Sequence, residues 1–170
     1  MNETKTVFKV FLVYDFEKEE RWLNEMALSG WALKSVGFCI YTFERCEPGE
    51  YFIRLEMHNH DDAYLSFMAE TGAEYIGRIV KWIYFRRKAD LGYFDIFSDT
   101  DSRIAHLNKI SSLLKAVGLL NLAIGIMNSF NSHISWAGAL NLLCATLLMY
   151  CLGRIHGKKE ALENERALRE

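Results

Sequence analysis

Hydrophobic positions along this chain change period part-way, and the change divides it into a patterned amino-terminal region and an apolar carboxy-terminal one. Val7 to Tyr14 alternates as a strand. Asp15 is placed to cap a helix whose first turn holds Glu17, Glu19 and Glu20, which suits the positive end of a helix dipole. Trp22, Leu23, Met26 and Ala27 form its apolar stripe, and Gly30 is placed to end it. Trp31 to Arg45 reads as one extended stretch, bent or bulged at Gly37, and Glu47-Pro48-Gly49 turns into a strand at Tyr51 to Met57. A second helix from about Asp62 to Thr71 and a last strand from Glu74 to Phe85 complete the region.

The two helices echo each other at an offset of 42. Trp22, Leu23, Met26, Ala27 and Gly30 fall on Tyr64, Leu65, Met68, Ala69 and Gly72, and Val10, Phe11 and Val13 fall on Phe52, Ile53 and Leu55. Two copies of strand, helix, strand predict an α+β fold in the order βαββαβ, a ferredoxin-like domain over residues 1–97 with a four-stranded antiparallel sheet.

From Ala116 to Gly153 the chain runs 38 residues without Asp, Glu, Lys or Arg, although 25% of the whole sequence is charged. A helix needs about 20 apolar residues to cross a bilayer, so this stretch predicts two transmembrane helices, 113–130 and 134–152, turning at Asn131, Ser132 and His133. The alternative is a buried hairpin in a soluble globule, for which the rest of the chain offers little covering surface. Lys115 can extend its ammonium toward the headgroups. Arg103, Lys109 and Lys115 precede the first span and Arg154, Lys158 and Lys159 follow the second, which places both termini in the cytoplasm at the cell membrane. Residues 98–112 form a juxtamembrane helix, with Ser98 and Asp101 as a capping box and Ile104, Leu107, Ile110 and Leu114 at helical spacing, and 153–170 a charged tail. Gly118, Asn121, Gly125 and Asn128 on the first span, and Asn141 on the second, provide small and amide side chains for closing the hairpin.

Charge and candidate chemistry add limits. A net charge of -2, from 20 basic and 22 acidic side chains, provides no field for nucleic acid. Met1 to Lys9 is too polar for a cleavable leader, and Cys39 and Cys46 are expected as reduced thiols. His58, His60 and Asp62 follow a strand as a fragment of a metal-binding motif, but Ala63 stands where a further ligand is wanted; capping of the second helix by Asn59 or Asp61 is the plainer reading. No phosphate loop, nucleophile signature or cofactor motif is visible. Arg86-Arg87-Lys88 is a basic patch suited to anionic lipid. Glu17, Glu20, Asn24, Trp31 and Trp82 are candidate partner-binding residues, beside the plainer readings of capping and solubility for the acidic turn and of core or interface filling for the rings.

The run Tyr14-Asp15-Phe16-Glu17-Lys18-Glu19-Glu20-Arg21-Trp22-Leu23-Asn24-Glu25-Met26, with Gly30-Trp31, resembles the opening of the bacterial family DUF2812. Pro48-Gly49-Glu50-Tyr51, Thr71-Gly72-Ala73-Glu74-Tyr75, Trp82 with Tyr84-Phe85, and Phe97-Ser98-Asp99 extend the resemblance over roughly residues 8–105. It implies a membrane-anchored cytoplasmic domain, often accompanied by PadR-type transcription regulators, and carries no catalytic residues. The expectation is a non-enzymatic sensing or partner-binding module, coupling the binding of a ligand or protein to the membrane or to gene regulation. Its partners would be lipid and a protein or a second copy. A structural accessory subunit of a membrane complex is the alternative, and a metal-dependent hydrolase a third.

Overall fold

A computed structural model describes residues 3–131 and 133–168 and divides into two compact units, Met1–Ser98 and Asp99–Glu170. The first contains β1 (Thr4–Phe8), α1 (Phe16–Leu28), β2 (Trp31–Gly37), β3 (Ile40–Arg45), β4 (Tyr51–Met57), α2 (Asp62–Glu70), β5 (Ala73–Ile79) and β6 (Trp82–Lys88). The second is α3 (Thr100–Ser129) and α4 (Ser135–Ala167).

The α+β class holds, and the strand inventory is richer than expected. Two three-stranded antiparallel sheets form, in the orders β1-β3-β2 and β4-β6-β5, in place of one four-stranded ferredoxin-like sheet. Two of the stretches read as single strands are hairpins. Trp31 to Arg45 reverses at Phe38–Cys39, and the expected last strand reverses at Val80–Lys81. Neither turn has the glycine or asparagine that would announce it; Cys39 and Val80 adopt φ of 59° and 57°, left-handed values that strain a side chain, a β-branched one most.

Both halves therefore repeat a strand, helix, strand, strand unit. Gly30 and Gly72, 42 apart, end the two helices at φ of 82° and 84°. The bulge between Leu33 and Ser35 returns, again 42 further on, between Tyr75 and Gly77. The first strands break this offset. Phe8 pairs with Ile40 and Met57 with Trp82, so β1 corresponds to β4 at an offset of 49, and Val10, Phe11 and Val13 are not the counterparts of Phe52, Ile53 and Leu55. The reason lies in β3, which begins at Ile40; once Lys9 N–H has donated to Cys39 O, the partner strand has turned away. Residues 9–12 become a link to a single helical turn at Val13–Asp15.

Helix α1 buries Phe16, Leu23 and Ala27, while its start is stabilised by an ion pair of Asp15 with Lys18 at 2.7 Å, not by a side-chain cap. Helix α2 is capped by Asp61, which accepts from Ala63 N–H at 3.0 Å. Met68 of α2 packs into a second-sheet core with Ala73, Ile83, Phe85 and Phe94.

In the second unit α3 is one continuous helix, so the juxtamembrane segment and the first apolar span are a single rod. Its capping box lies one residue later than expected: Asp99 accepts from Ser102 N–H at 2.7 Å, and Asp99 N–H donates to Ser102 Oγ at 3.3 Å. α4 runs unbroken through the expected tail to Ala167, and Arg166 meets Asp101 at 2.6 Å. At the turn, His133 N–H donates to Asn131 Oδ1; Ser132, part of the expected turn, lies outside the described residues, as do residues 1, 2, 169 and 170 of the expected domain and tail.

The helices run antiparallel, with Gly118 facing Met149, Gly125 facing Leu142 and Gly138 facing Ser129. A Cβ on Gly125 would stand 2.9 Å from Leu142 Cγ, and one on Gly138 would stand 2.8 Å from Ser129 N, so small residues set the approach. Buried Ile104, Leu107, Ser111, Leu114, Gly118 and Gly125 recur at alternating spacings, a heptad seam. Asn121 and Asn141 each donate one amide N–H within their own helix, to Val117 O and Ala137 O. Leu119, Leu120, Leu122, Met127, Leu140, Leu143 and Leu147 face outward and exposed. Both helices are long and apolar enough to cross a membrane.

Candidate functional site

Polar side chains of α1 hold the two repeats together. Glu19 is buried and accepts from Tyr41 Oη of β3 at 2.8 Å and from Tyr84 Oη of β6 at 2.6 Å, so one carboxyl joins both sheets. Burial raises its pKa, and the two phenol hydrogen bonds oppose that rise without cancelling it. Burial followed by the Glu19 charge raises both tyrosines.

One turn further along α1, Asn24 behaves as an extra residue of sheet. Its Nδ2 donates to Ile53 O at 2.8 Å and its Oδ1 accepts from Ile53 N–H at 3.0 Å, reproducing the pair of bonds a neighbouring strand would make with β4. Glu20 accepts from Leu55 N–H at 3.2 Å and pairs with Arg54 at 3.4 Å. The outer edge of β4 is thereby closed.

The equivalent edge of β1 is open. β1 has β3 on one side, and Thr4, Lys5, Thr6 and Phe8 are exposed. Arg45 N–H donates to Glu3 O and Lys9 N–H to Cys39 O, so the alternation of an antiparallel ladder turns the N–H and C=O groups of Thr4, Thr6 and Phe8 away from β3. At the end of this edge lies an apolar cluster. Phe8 is 73% exposed and pairs across the ladder with exposed Ile40, while Phe38 at the hairpin tip is 80% exposed and Val10 follows in the link. Val80 occupies the corresponding tip of the second repeat and is also exposed. An open ladder edge flanked by exposed aromatic and aliphatic side chains is the arrangement that takes an added strand.

The residues singled out from sequence are distributed unevenly around this geometry. Glu20 and Asn24 face β4. Glu17 is exposed on α1, with an interaction of its own. Trp31 is half-buried between Lys5 and Arg45, whose charges lie 5.5 and 5.0 Å from its ring centre, and Trp82 packs on Phe16 at 5.4 Å. Of the basic patch, Arg86 is drawn inward: it bonds Glu44 and Glu74, each at 2.7 Å, and Leu33 O, tying β6 to the first sheet. Arg87 donates to Leu91 O and lies over Phe94. His58 stacks on Tyr64 at 4.1 Å with its Nδ1 at Asn59 O, and His60 approaches Asp62 at 3.7 Å. Among the described residues no three His, Cys, Asp or Glu side chains converge as a metal site would require.

The open edge is hidden in the sequence because apolar alternation continues through Val10 and Val13 after pairing has stopped at Phe8.

Residues 15–119 match the family described as Protein of unknown function (DUF2812). The chain belongs to this family. The match begins at Asp15, directly before α1, and ends inside α3, so the DUF2812 region takes in α1 with its edge-closing Glu20 and Asn24, both hairpins and the start of the apolar rod. β1 lies outside it. No curated protein and no solved structure matches the chain.

Proposed function

We propose that this DUF2812 chain is a membrane-anchored, non-enzymatic docking module. α3 and α4 form the anchor, both termini face the cytoplasm, and the amino-terminal unit receives a protein partner along β1. The observation that carries this reading is the contrast of edges. α1 spends Glu20 and Asn24 on closing β4, while β1 keeps an unpaired ladder beside Phe8, Phe38 and Ile40. Strand addition needs no catalytic group and draws its affinity from main-chain bonds plus apolar anchors. The anchor is supported by the outward-facing leucines of the hairpin and by the basic residues at one end: Lys115 and Arg154 bracket the apolar stretch, and none lies at the turn.

Site-specific photocrosslinking in intact membranes tests the reading. A photoreactive residue at Phe38 or Ile40 is expected to give protein adducts, and one at exposed Glu70 of α2 to give none. Adducts absent from both tip positions would overturn it. Accessibility of single cysteines introduced at Asn131 and Ser98 to a membrane-impermeant thiol reagent checks the orientation, with Asn131 labelled from the outside and Ser98 protected.

A further inference from the structure

We propose, on the docking reading above, that the partner at the open edge is a second copy of this chain, with the two β1 strands antiparallel about Thr6. In that register Thr6 stands opposite Thr6 of the second copy and Thr4 opposite Phe8. The outward N–H and C=O groups of Thr4, Thr6 and Phe8 then meet their own kind, as an antiparallel ladder requires. The same side chains fall on one face in both copies, so the sheet β2-β3-β1 continues through a two-fold axis into β1-β3-β2.

Charge selects this register. Centred on Thr6, Glu3 lies opposite Lys9 at both ends, where the Lys9 ammonium, over the Trp22 ring at 4.3 Å, turns outward to meet it, and Lys5 lies opposite Val7, giving two opposite-charge pairs and no like-charge pair. Centring on Lys5 opposes Lys5 to itself, and centring on Val7 opposes Lys5 to Lys9; centring on Thr4 also opposes Glu3 to Lys5 but sets only Thr4 of the strand against the strand, so length excludes it. A shift by a single residue turns outward groups against inward ones. β1 also lacks the usual protections of an edge: it has no proline and no bulge, and pairs with β3 without a break from Thr4 to Phe8. Lys5 does not guard the edge, because its ammonium is drawn over the Trp31 ring. A five-residue ladder is a small interface, and confinement of both copies to one membrane raises their effective concentration enough for it to matter.

Disulfide trapping of the full-length chain in membranes reads out the register. Thr6→Cys alone is expected to form a covalent dimer, because directly opposed positions in such a ladder are about 5.5 Å apart at Cα, within disulfide reach. Thr4→Cys and Phe8→Cys chains are expected to crosslink when co-expressed and not when either is expressed alone, with the unsubstituted chain as the control for its native cysteines. Lys9→Glu is expected to lower the Thr6→Cys dimer yield about tenfold by creating two like-charge pairs, and Glu3→Lys added to it to restore the yield. No Thr6→Cys dimer, a Thr4→Cys dimer formed alone, or no rescue by the double charge exchange would each overturn the proposal. Thr6→Pro separates the two levels of inference, since it removes an outward donor that any added strand needs. If it abolishes the Phe38 photoadducts while Thr6→Cys gives no dimer, docking at the edge stands and self-pairing is wrong.

Discussion

The two repeats of the amino-terminal unit share helix, hairpin, bulge and αL glycine, yet their outer strands meet opposite fates. β4 is buried at Ile53, Leu55 and Met57 and closed by Asn24 and Glu20; β1 is exposed at every residue but half-buried Val7 and ends among exposed apolar side chains. At the positions of α2 that match Glu20 and Asn24 stand Asp62 and Ser66, both exposed. The closing amide therefore belongs to one repeat only. The difference teaches that a duplicated unit can spend one copy on stability and leave the other for contact, since an open edge is a liability that folds otherwise remove.

Removing the closing side chain should have the largest effect on this contrast. Asn24→Ala leaves Ile53 N–H and C=O without the bonds they now make, and a loss of about 2 kcal/mol is expected in denaturant unfolding of the full chain in detergent. Asn24→Asp is expected to retain acceptance from Ile53 N–H and lose donation to Ile53 O, and so to fall between wild type and alanine. An unfolding midpoint unchanged in Asn24→Ala would mean that the Asn24 amide does not close β4.

The glycines allow the two repeats to be compared at the same structural position. Gly30→Ala and Gly72→Ala both force a side chain to φ above 80°, at a cost of about 1 kcal/mol each. The added Cβ at Gly30 meets the Cys46 carbonyl at 3.1 Å, whereas at Gly72 it meets the flexible tip of Leu91 at 2.7 Å. Gly30→Ala is therefore expected to be the more costly, and equal melting shifts would deny the asymmetry.

The carboxyl that bridges the repeats carries a pH signature. With the Glu19 pKa raised in the folded chain above 4.5, folded and unfolded states are both protonated below 4.5. As pH rises above that value the unfolded chain releases the proton first, so the contribution of Glu19 to stability falls until its folded pKa is passed. Glu19→Gln keeps an acceptor for both phenols and has no proton to release. Its stability relative to the parent should rise across that window, measured as the difference in unfolding midpoint at successive pH values, and a flat difference would contradict the burial argument.

The smallest effect on folding is expected at the open edge. Phe38→Ser and Phe8→Ser should each change stability by no more than about 0.5 kcal/mol, because both rings are already in solvent. Their adducts or dimers in membranes should nevertheless weaken. A large loss of stability from either would make the tip part of the core.

Much of this architecture was legible from residues alone. The helix from Phe16 to Leu28 and its end at Gly30 follow from a stripe and a glycine, and the turn at Glu47-Pro48-Gly49 is seen in the bond from Glu50 N–H to Glu47 O. The hairpin tips at Phe38–Cys39 and Val80–Lys81 were not, because turn chemistry is read from glycine, asparagine and proline and here apolar residues take the strained positions. The acidic first turn of α1 suits the helix dipole by position alone; Glu19 is buried and Glu20 bonded to β4, and nothing in a local pattern marks which carboxylate will meet a phenol 65 residues away. Arg86 likewise looked like part of a lipid-facing patch until the fold brought Glu44 and Glu74 to it.

By itself the sequence determined the local periodicities: which segments are helical, that the pattern is duplicated, and that two helices are apolar enough for lipid. Those properties depend on neighbours a few residues apart. Only the tertiary structure decided which ladder edge is closed and which stays open, because that outcome depends on whether an amide on α1 arrives opposite a backbone N–H 29 residues further along the chain.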